Sequence, residues 1–295
     1  MKILITGSSG MLGRALCKVL GGEHELIGID IRHCEERSDE AISRFYKIDL
    51  SDKIKVKDAF KKECPDIVIH AAAWTDVDGC EENPDKAHEM NVEVTKNVAE
   101  ALRNIKTFPV YISTDFVFNG SSSVPYTEED DTDPINVYGK TKLEGEKVFE
   151  SLERYAIVRT SWLFGGNGKN FVDTILKASR ENKSIRIVDD QMGSPTYTGD
   201  LAVALKQLAG ASRDIGREVF HVSNAGQCSW YGFAKEILKK NENVRVEAIK
   251  SEELKRPAER PKYSVLDNSK FERIVGYKMR CWKEALGEYL SGLNS

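Results

Sequence analysis

The 295-residue sequence has no Cys-x-x-Cys pair, no apolar run approaching a membrane span, no strong excess of either charge and no internal repeat. Each absence removes a class of protein. The six cysteines (Cys17, Cys34, Cys64, Cys80, Cys228, Cys281) are scattered, so neither a zinc site nor a disulfide framework is expected. The five histidines (His24, His33, His70, His88, His221) lack metal-ligand spacing as well. Spanning a bilayer takes about 20 consecutive apolar residues, so no membrane segment is expected. The formal net charge is −4, with both signs spread along the chain, which leaves no basic footprint for nucleic acid. The first strand-like run starts at residue 2, leaving no room for a signal peptide. What remains is a cytoplasmic, enzyme-sized protein of ordinary globular composition, 40% hydrophobic and 31% charged.

The first 160 residues alternate short Val/Ile/Leu-rich runs with helical stretches. Strands are expected at 2–6, 25–30, 45–48, 66–70, 108–113 and 155–160, and helices at 11–20, 54–63, 84–104 and 138–152. Continuous apolar runs such as Ile67-Val-Ile69 suit strands buried on both faces. Strand–helix alternation indicates an α/β fold, a Rossmann-type doubly wound parallel sheet over 1–160. Beyond Gly165-Gly-Asn-Gly168 the pattern becomes mixed, with helices near 171–181, 201–208 and 230–240 and short strands near 185–188 and 218–222. Residues 161–295 are therefore expected to form a smaller mixed α/β substrate-binding lobe, with room for part of that half to return to the sheet. The charged stretch 32–44 has no periodicity and reads as a surface loop or a short helix insertion, and the acidic segment 119–136 as a solvated loop or a lid.

Gly7, Gly10 and Gly13 follow the first strand and open a helix, the context in which glycines cradle a dinucleotide pyrophosphate against helix N–H groups. Met11 and Leu12 supply first-turn N–H groups. Asp30 ends the second strand, where a carboxylate can hold ribose hydroxyls and favour NADH, while Arg14 and Arg32 are near enough in sequence to receive the 2′-phosphate of NADPH. Both cofactors are therefore expected. Asp49 and Leu50, ending the third strand, are placed for the adenine edge, and Ala71, Ala72 and Ala73 allow backbone to approach the dinucleotide.

Tyr138 and Lys142 lie four residues apart, one turn apart on one helix face. The Tyr can protonate a developing alkoxide if its pKa, normally about 10, is lowered, and the Lys cation favours its phenolate. Thr114, at the end of a strand, can hydrogen-bond the same oxygen, whereas Ser113 should face the other way. The proline-stiffened turn Arg256-Pro-Ala-Glu-Arg-Pro261 is expected to grip a diphosphate through Arg260.

These motifs, with Ala71-Ala-Ala-Trp-Thr-Asp-Val-Asp-Gly-Cys-Glu81, Asn91, Ser113-Thr-Asp-Phe-Val-Phe-Asn-Gly120, Arg159-Thr-Ser-Trp-Leu-Phe-Gly165, Asp190-Gln-Met-Gly-Ser-Pro-Thr196, His221-Val-Ser-Asn-Ala-Gly226 and the 256–264 block, resemble the extended short-chain dehydrogenase/reductase superfamily. Within it they resemble the dTDP-4-dehydrorhamnose reductase family, over almost the whole chain. The resemblance implies a catalytic triad of Thr114, Tyr138 and Lys142, contact of Asp115 with the sugar, and Trp162 as an apolar platform. It implies reduction of dTDP-4-dehydrorhamnose by NADPH or NADH, in a monomer or homodimer. Some relatives hold a divalent ion such as Mg²⁺ with carboxylates, but the first-helix carboxylate needed for it falls near Ala15 here. The same resemblance leaves two other functions open: a non-catalytic regulatory subunit of S-adenosylmethionine synthetase type, and a reductase giving another dTDP-6-deoxyhexose.

Overall fold

The computed structural model describes residues 1–31, 41–241 and 243–293, so Arg32 and most of the charged stretch 32–44 lie outside the described residues. Seven parallel strands form the main sheet: β1 (Lys2–Thr6), β2 (Glu25–Asp30), β3 (Arg44–Lys47), β4 (Ile67–His70), β5 (Phe108–Thr114), β6 (Tyr155–Thr160) and β7 (Arg217–His221). Their order across the sheet is β7-β6-β5-β4-β1-β2-β3. The chain steps outward from β1 in one direction to β3, then returns to β4 on its other side. That reversal opens a crevice beyond the carboxyl ends of β1 and β4, where ligands of doubly wound sheets bind.

The period-2 side-chain alternation of the strands divides the core into two layers. Ile3 and Ile5 pack with Leu12 and Leu16 of the helix Met11–Leu20 and with Leu201 and Leu205 of the helix Thr198–Ala211. Leu4 faces the opposite layer, with Phe60, Val98, Tyr111 and Phe149. Burying a large apolar side chain contributes about 1.5–3 kcal/mol, so both faces of β1 are anchored by contacts distant in sequence. All seven residues of β5 are buried, which is why it reads as a continuous apolar run.

β7 and the helix Thr198–Ala211 come from the second half of the chain, yet they serve the main sheet: β7 pairs with β6, and the helix packs on Met11–Leu20. A third core unites Phe164, Val172, Ile175, Phe233, Trp282 and Leu286, beside a parallel pair formed by Ser184–Val188 and Arg245–Ile249. No helix among the described residues is long and apolar enough to cross a membrane.

Two local departures from the sequence pattern bear on the site. The helix expected at 84–104 runs as Pro84–His88, a π-helical turn Glu89–Glu93, and Val94–Leu102. Inside the widened turn, buried Asn91 accepts a hydrogen bond from Trp74 N (2.8 Å) and donates to Trp74 O (3.1 Å) and Thr141 Oγ1 (3.1 Å). The acidic segment 119–136, expected as a solvated loop or lid, is pinned: Tyr126 N donates to Val265 O and Tyr126 O lies 2.9 Å from His221 Nδ1. Glu128 accepts from His221 N, and Asn136 Nδ2 donates to Glu259 O. Glu128 is drawn partly inward because the His221 N–H needs an acceptor, while Glu129, Asp130, Asp131 and Asp133 stay exposed.

The helix Val137–Glu150 lies so close to β5 that a Cβ on Gly145 would sit 2.2 Å from Tyr111 Oη. Gly145→Ala is therefore expected to destabilise the fold by about 1–3 kcal/mol through overpacking. Urea unfolding would read this as a lower midpoint at unchanged slope, and Tyr111→Phe in the same chain should recover part of the loss.

Candidate active site

The glycine turn after β1 is shaped by contacts that exclude side chains. Gly7 has φ +72°, and a Cβ there would lie 2.8 Å from Ala72 N, so only glycine fits without strain. A Cβ on Gly13 would fall 2.2 Å from Gly7 O, whereas one on Gly10 would meet only Gly7 O at 3.2 Å. The first and third glycines thus serve packing, and the second leaves an open approach. Gly10 caps the helix Met11–Leu20 with no side-chain hydrogen bond and no acidic residue in the first turn. Its first N–H groups and the positive end of its dipole are left for an anion. A dinucleotide pyrophosphate fits this cradle. Leu12 belongs to the core, and the side chain of Met11 packs against Gly168.

Other residues expected around the cofactor are distributed unevenly. Asp30 Oδ2 accepts from Ser9 N at 3.0 Å, tying the glycine turn to β2, and Arg14 Nε donates to Ser9 O at 3.1 Å. Ala71, Ala72 and Ala73 line the start of the loop after β4, with Ala72 against Gly7. Asp49 is exposed and accepts from Ser51 N at 2.9 Å as an Asx turn, and Leu50 is buried in the second core layer.

Thr114 closes β5, and Tyr138 and Lys142 stand one turn apart on the helix Val137–Glu150. Asn136 caps that helix by accepting from Gly139 N at 2.8 Å, and Glu81 accepts from Val137 N at 2.9 Å. Thr114 Oγ1 donates to Asp115 Oδ1 (3.0 Å) and accepts from Phe116 N (3.2 Å). The Tyr138 ring meets Phe116 edge-on at 5.8 Å. Burial pushes the Tyr138 phenol above its ordinary pKa, with Asp115 and Cys80 adding to the rise and the Thr114 hydroxyl opposing it. The lowering expected from Lys142 is not among these effects. The reason is geometric: Lys142 Nζ donates to Ile112 O at 2.7 Å and stands 4.1 Å over the Tyr111 ring. Burial brings the Lys142 ammonium down to about 7, against the upward pull of Glu146. Burial likewise lifts the Asp115 carboxyl to about 7, with the Ser264 and Thr114 hydroxyls acting the other way.

Beside Phe116 a cavity of about 270 Å³ is walled by Trp162, Trp230, Gln191, Arg256 and Arg260. Trp162 has φ +46°, rare for a bulky residue, and stacks on Trp230 with centroids 3.5 Å apart and planes 5° apart. Arg260 does not present a free fork to this cavity. It donates to both Asp78 oxygens (2.6 and 2.7 Å) and to Ala258 O, which holds the Asp78 carboxyl below its ordinary pKa. Arg256, by contrast, is exposed on the same wall. A larger cavity of about 1070 Å³ lies by Arg14, Lys18 and Arg280, and none of Thr114, Tyr138 or Lys142 lines it.

Three contributors were absent from the expected site: Glu146, Asn91 and Trp230. Glu146 had a signal, since it continues the four-residue spacing of Tyr138 and Lys142. Asn91 stood only among the residues of the family resemblance, with no role read for it, and Trp230 depends on a partner 68 residues away (Trp162) and left no signal.

A doubly wound sheet, a glycine cradle at its switch point and a Thr/Tyr/Lys set beside it define a nicotinamide-dependent oxidoreductase of the extended short-chain dehydrogenase/reductase class. The family described as RmlD substrate binding domain matches residues 1–295. The chain is 39% identical to the spore coat polysaccharide biosynthesis protein SpsK of Bacillus subtilis, over 100% of this chain and 98% of that one. It superposes on a dTDP-4-dehydrorhamnose reductase from Clostridium acetobutylicum with TM-score 0.91, at 40% identity and 100% coverage of both chains. The same enzyme from Bacillus anthracis, in complex with NADP, gives TM-score 0.88 at 37% identity and 99% coverage of both. The chain belongs to the RmlD family, that of the dTDP-4-dehydrorhamnose reductases.

Asp115 makes the site's cost measurable. Its folded pKa of about 7 exceeds the ordinary 3.8, so the native state holds the extra proton between these values, and stability falls as pH rises through that window. Asp115→Asn keeps the acceptor for Thr114 without the buried charge. The variant should be more stable than wild type at pH 8, by on the order of 4 kcal/mol, with the gap closing near pH 4. An equal gap at both pH values in urea unfolding would exonerate the carboxylate.

Proposed function

We propose that the chain catalyses NAD(P)H-dependent reduction of the 4-keto group of dTDP-4-dehydro-6-deoxy-L-mannose, giving dTDP-L-rhamnose. The observation that carries this reading is the convergence of Thr114 and Tyr138 at the carboxyl end of β5. Relatives of 37 and 40% identity bear the matching name.

The nicotinamide, when bound, supplies the hydride. The glycine turn and the uncapped helix start hold its pyrophosphate, with Asp30 bracing the turn through Ser9. Reduction of a ketone leaves negative charge on oxygen, and Tyr138 delivers the proton that quenches it. A phenol held above its ordinary pKa is a poor acid until a nearby positive charge favours the phenolate, and Lys142, one turn away and buried, supplies it once its ammonium turns from the Ile112 carbonyl toward Tyr138. Thr114 hydrogen-bonds the substrate oxygen and so aligns it with Tyr138. The sugar lies against Trp162 and near Asp115 in the cavity beside Phe116. Its diphosphate meets Arg256, while Arg260, committed to Asp78, holds the turn in place.

Tyr138→Phe keeps the ring and removes the proton, so turnover should fall roughly 10²–10⁴-fold with little change in cofactor affinity. The assay is loss of nicotinamide absorbance with the dTDP-4-keto-6-deoxy sugar and its 3,5-epimerase, and near-wild-type turnover would dismiss Tyr138 as the acid. Wild-type protein inert in that assay would remove the reductase reading itself. Charged contacts that act alike on ground and transition states move KM more than kcat. Arg256→Ala should therefore raise the sugar KM roughly tenfold, about 1.4 kcal/mol, leaving the cofactor KM in place. Steady-state kinetics with each substrate varied in turn tests this.

A further inference from the structure

The carboxylate of Glu146 is fully buried one turn beyond Lys142, and it faces the same way as Tyr138 and Lys142. It bolts three elements together. Ser113 Oγ, on β5, donates to Glu146 Oε1 at 2.5 Å, and Arg159 on β6 donates from Nε to Oε1 (3.0 Å) and from Nη2 to Oε2 (2.7 Å). Ser113 and Arg159 are register partners in the β5–β6 ladder, so the helix is fastened to both strands at the level of Thr114. A two-point guanidinium–carboxylate contact of this kind fixes orientation as well as distance.

We propose, resting on the reductase reading above, that Glu146 is a positioning residue for the reaction, one that keeps Lys142 a charged ammonium beside Tyr138 while locking the catalytic helix to β5. The charges around Lys142 support this. From β4, His70 is fully buried and burial holds it down to about 3, so it is neutral. From β5, Tyr111 presents its ring face and a phenol raised by burial, and Asp115 lies beyond Thr114. From β6 comes the Arg159 guanidinium, whose carbon is also 5.3 Å from the centre of the Phe118 ring. On the helix itself are Tyr138 and Glu146. The buried set of Lys142, Glu146 and Arg159 thus holds two cations and one anion. Without the anion, two cations would share a low-dielectric interior, where like charges disfavour each other's ionised forms. Arginine does not give up its proton in proteins, so Lys142 is the group that becomes neutral.

Two opposite shifts follow. In Glu146→Gln the alkaline limb of the kcat/KM–pH profile should move down by at least about one pH unit. In Arg159→Met, where Glu146 is no longer shared with a guanidinium, the limb should move up. A purely structural clamp would lower the stability of both variants and leave the limb where it is in the wild type. Ser113→Ala keeps all three charges and should leave the limb in place. Should Glu146→Gln fail to fold, the Arg159→Met profile decides, an upward shift supporting the role and an unmoved limb overturning it. A wild-type protein that reduces the sugar while both variants share its limb refutes the role of Glu146 and leaves the reductase reading intact.

Discussion

The close approach of the helix Val137–Glu150 to β5 governs the rest of the site. At Gly139 a Cβ would lie 2.1 Å from Phe116 O, and at Gly145 one would lie 2.2 Å from Tyr111 Oη. With no side chains at these two contacts the helix backbone lies almost on the strand and on the turn Asp115–Val117 that follows it. Tyr138, Lys142 and Glu146 are therefore driven into the space between helix and sheet rather than projecting over it. Lys142 reaches the Ile112 carbonyl and Glu146 reaches Ser113 because the gap is narrow. The same narrowness strips water from all three side chains, which is the cause of the perturbed ionisation of Tyr138 and Lys142.

Such a site is assembled against its local preferences. A buried acid, a desolvated lysine, a fully enclosed ion pair and a tryptophan in the left-handed region are each unfavourable where they stand. They persist because the surrounding layers leave them no alternative: Tyr111, Phe149 and Ile157 fill one side of β5 and Ile112 and Val158 the other. The Arg260–Asp78 pair acts similarly, spanning 182 residues to hold the 256–261 turn against the short helix Val77–Glu82. Local consistency is given up at the functional residues and made good in the packing around them.

How legible this was in the sequence depended on the range of the interactions. The bounds of β1, β2, β6 and the helix Met11–Leu20 coincide with expectation, because continuous apolar runs and a glycine turn are local signals. The parallel sheet followed from the alternation of elements. Within the site, the pairing of Tyr138 with Lys142 was readable as a helix spacing, and the opposite directions of Ser113 and Thr114 as strand alternation. Trp162 could be singled out, but not its stacking on Trp230, since nothing near either residue encodes the other. Arg260 illustrates the converse. A basic, proline-stiffened turn looked like a phosphate grip, and only the fold reveals that Asp78 occupies the guanidinium.

The position of β7 has a consequence for biosynthesis. β6 is complete at Thr160, but its hydrogen-bonding partner on the outer side is not made until Arg217–His221. At typical synthesis rates of 5–20 residues per second, the intervening 61 or so residues take about 3–12 s. Throughout that interval the run Tyr155-Ala-Ile-Val-Arg-Thr160, almost wholly buried in the finished protein, would stand as an open sheet edge, the kind of template on which other chains can add strands. The helix Thr198–Ala211, whose Leu201 and Leu205 cover the first core layer, also emerges within it. The nascent chain therefore passes an aggregation-exposed stage with six of the seven sheet strands already synthesised and the outer edge of β6 still unclosed.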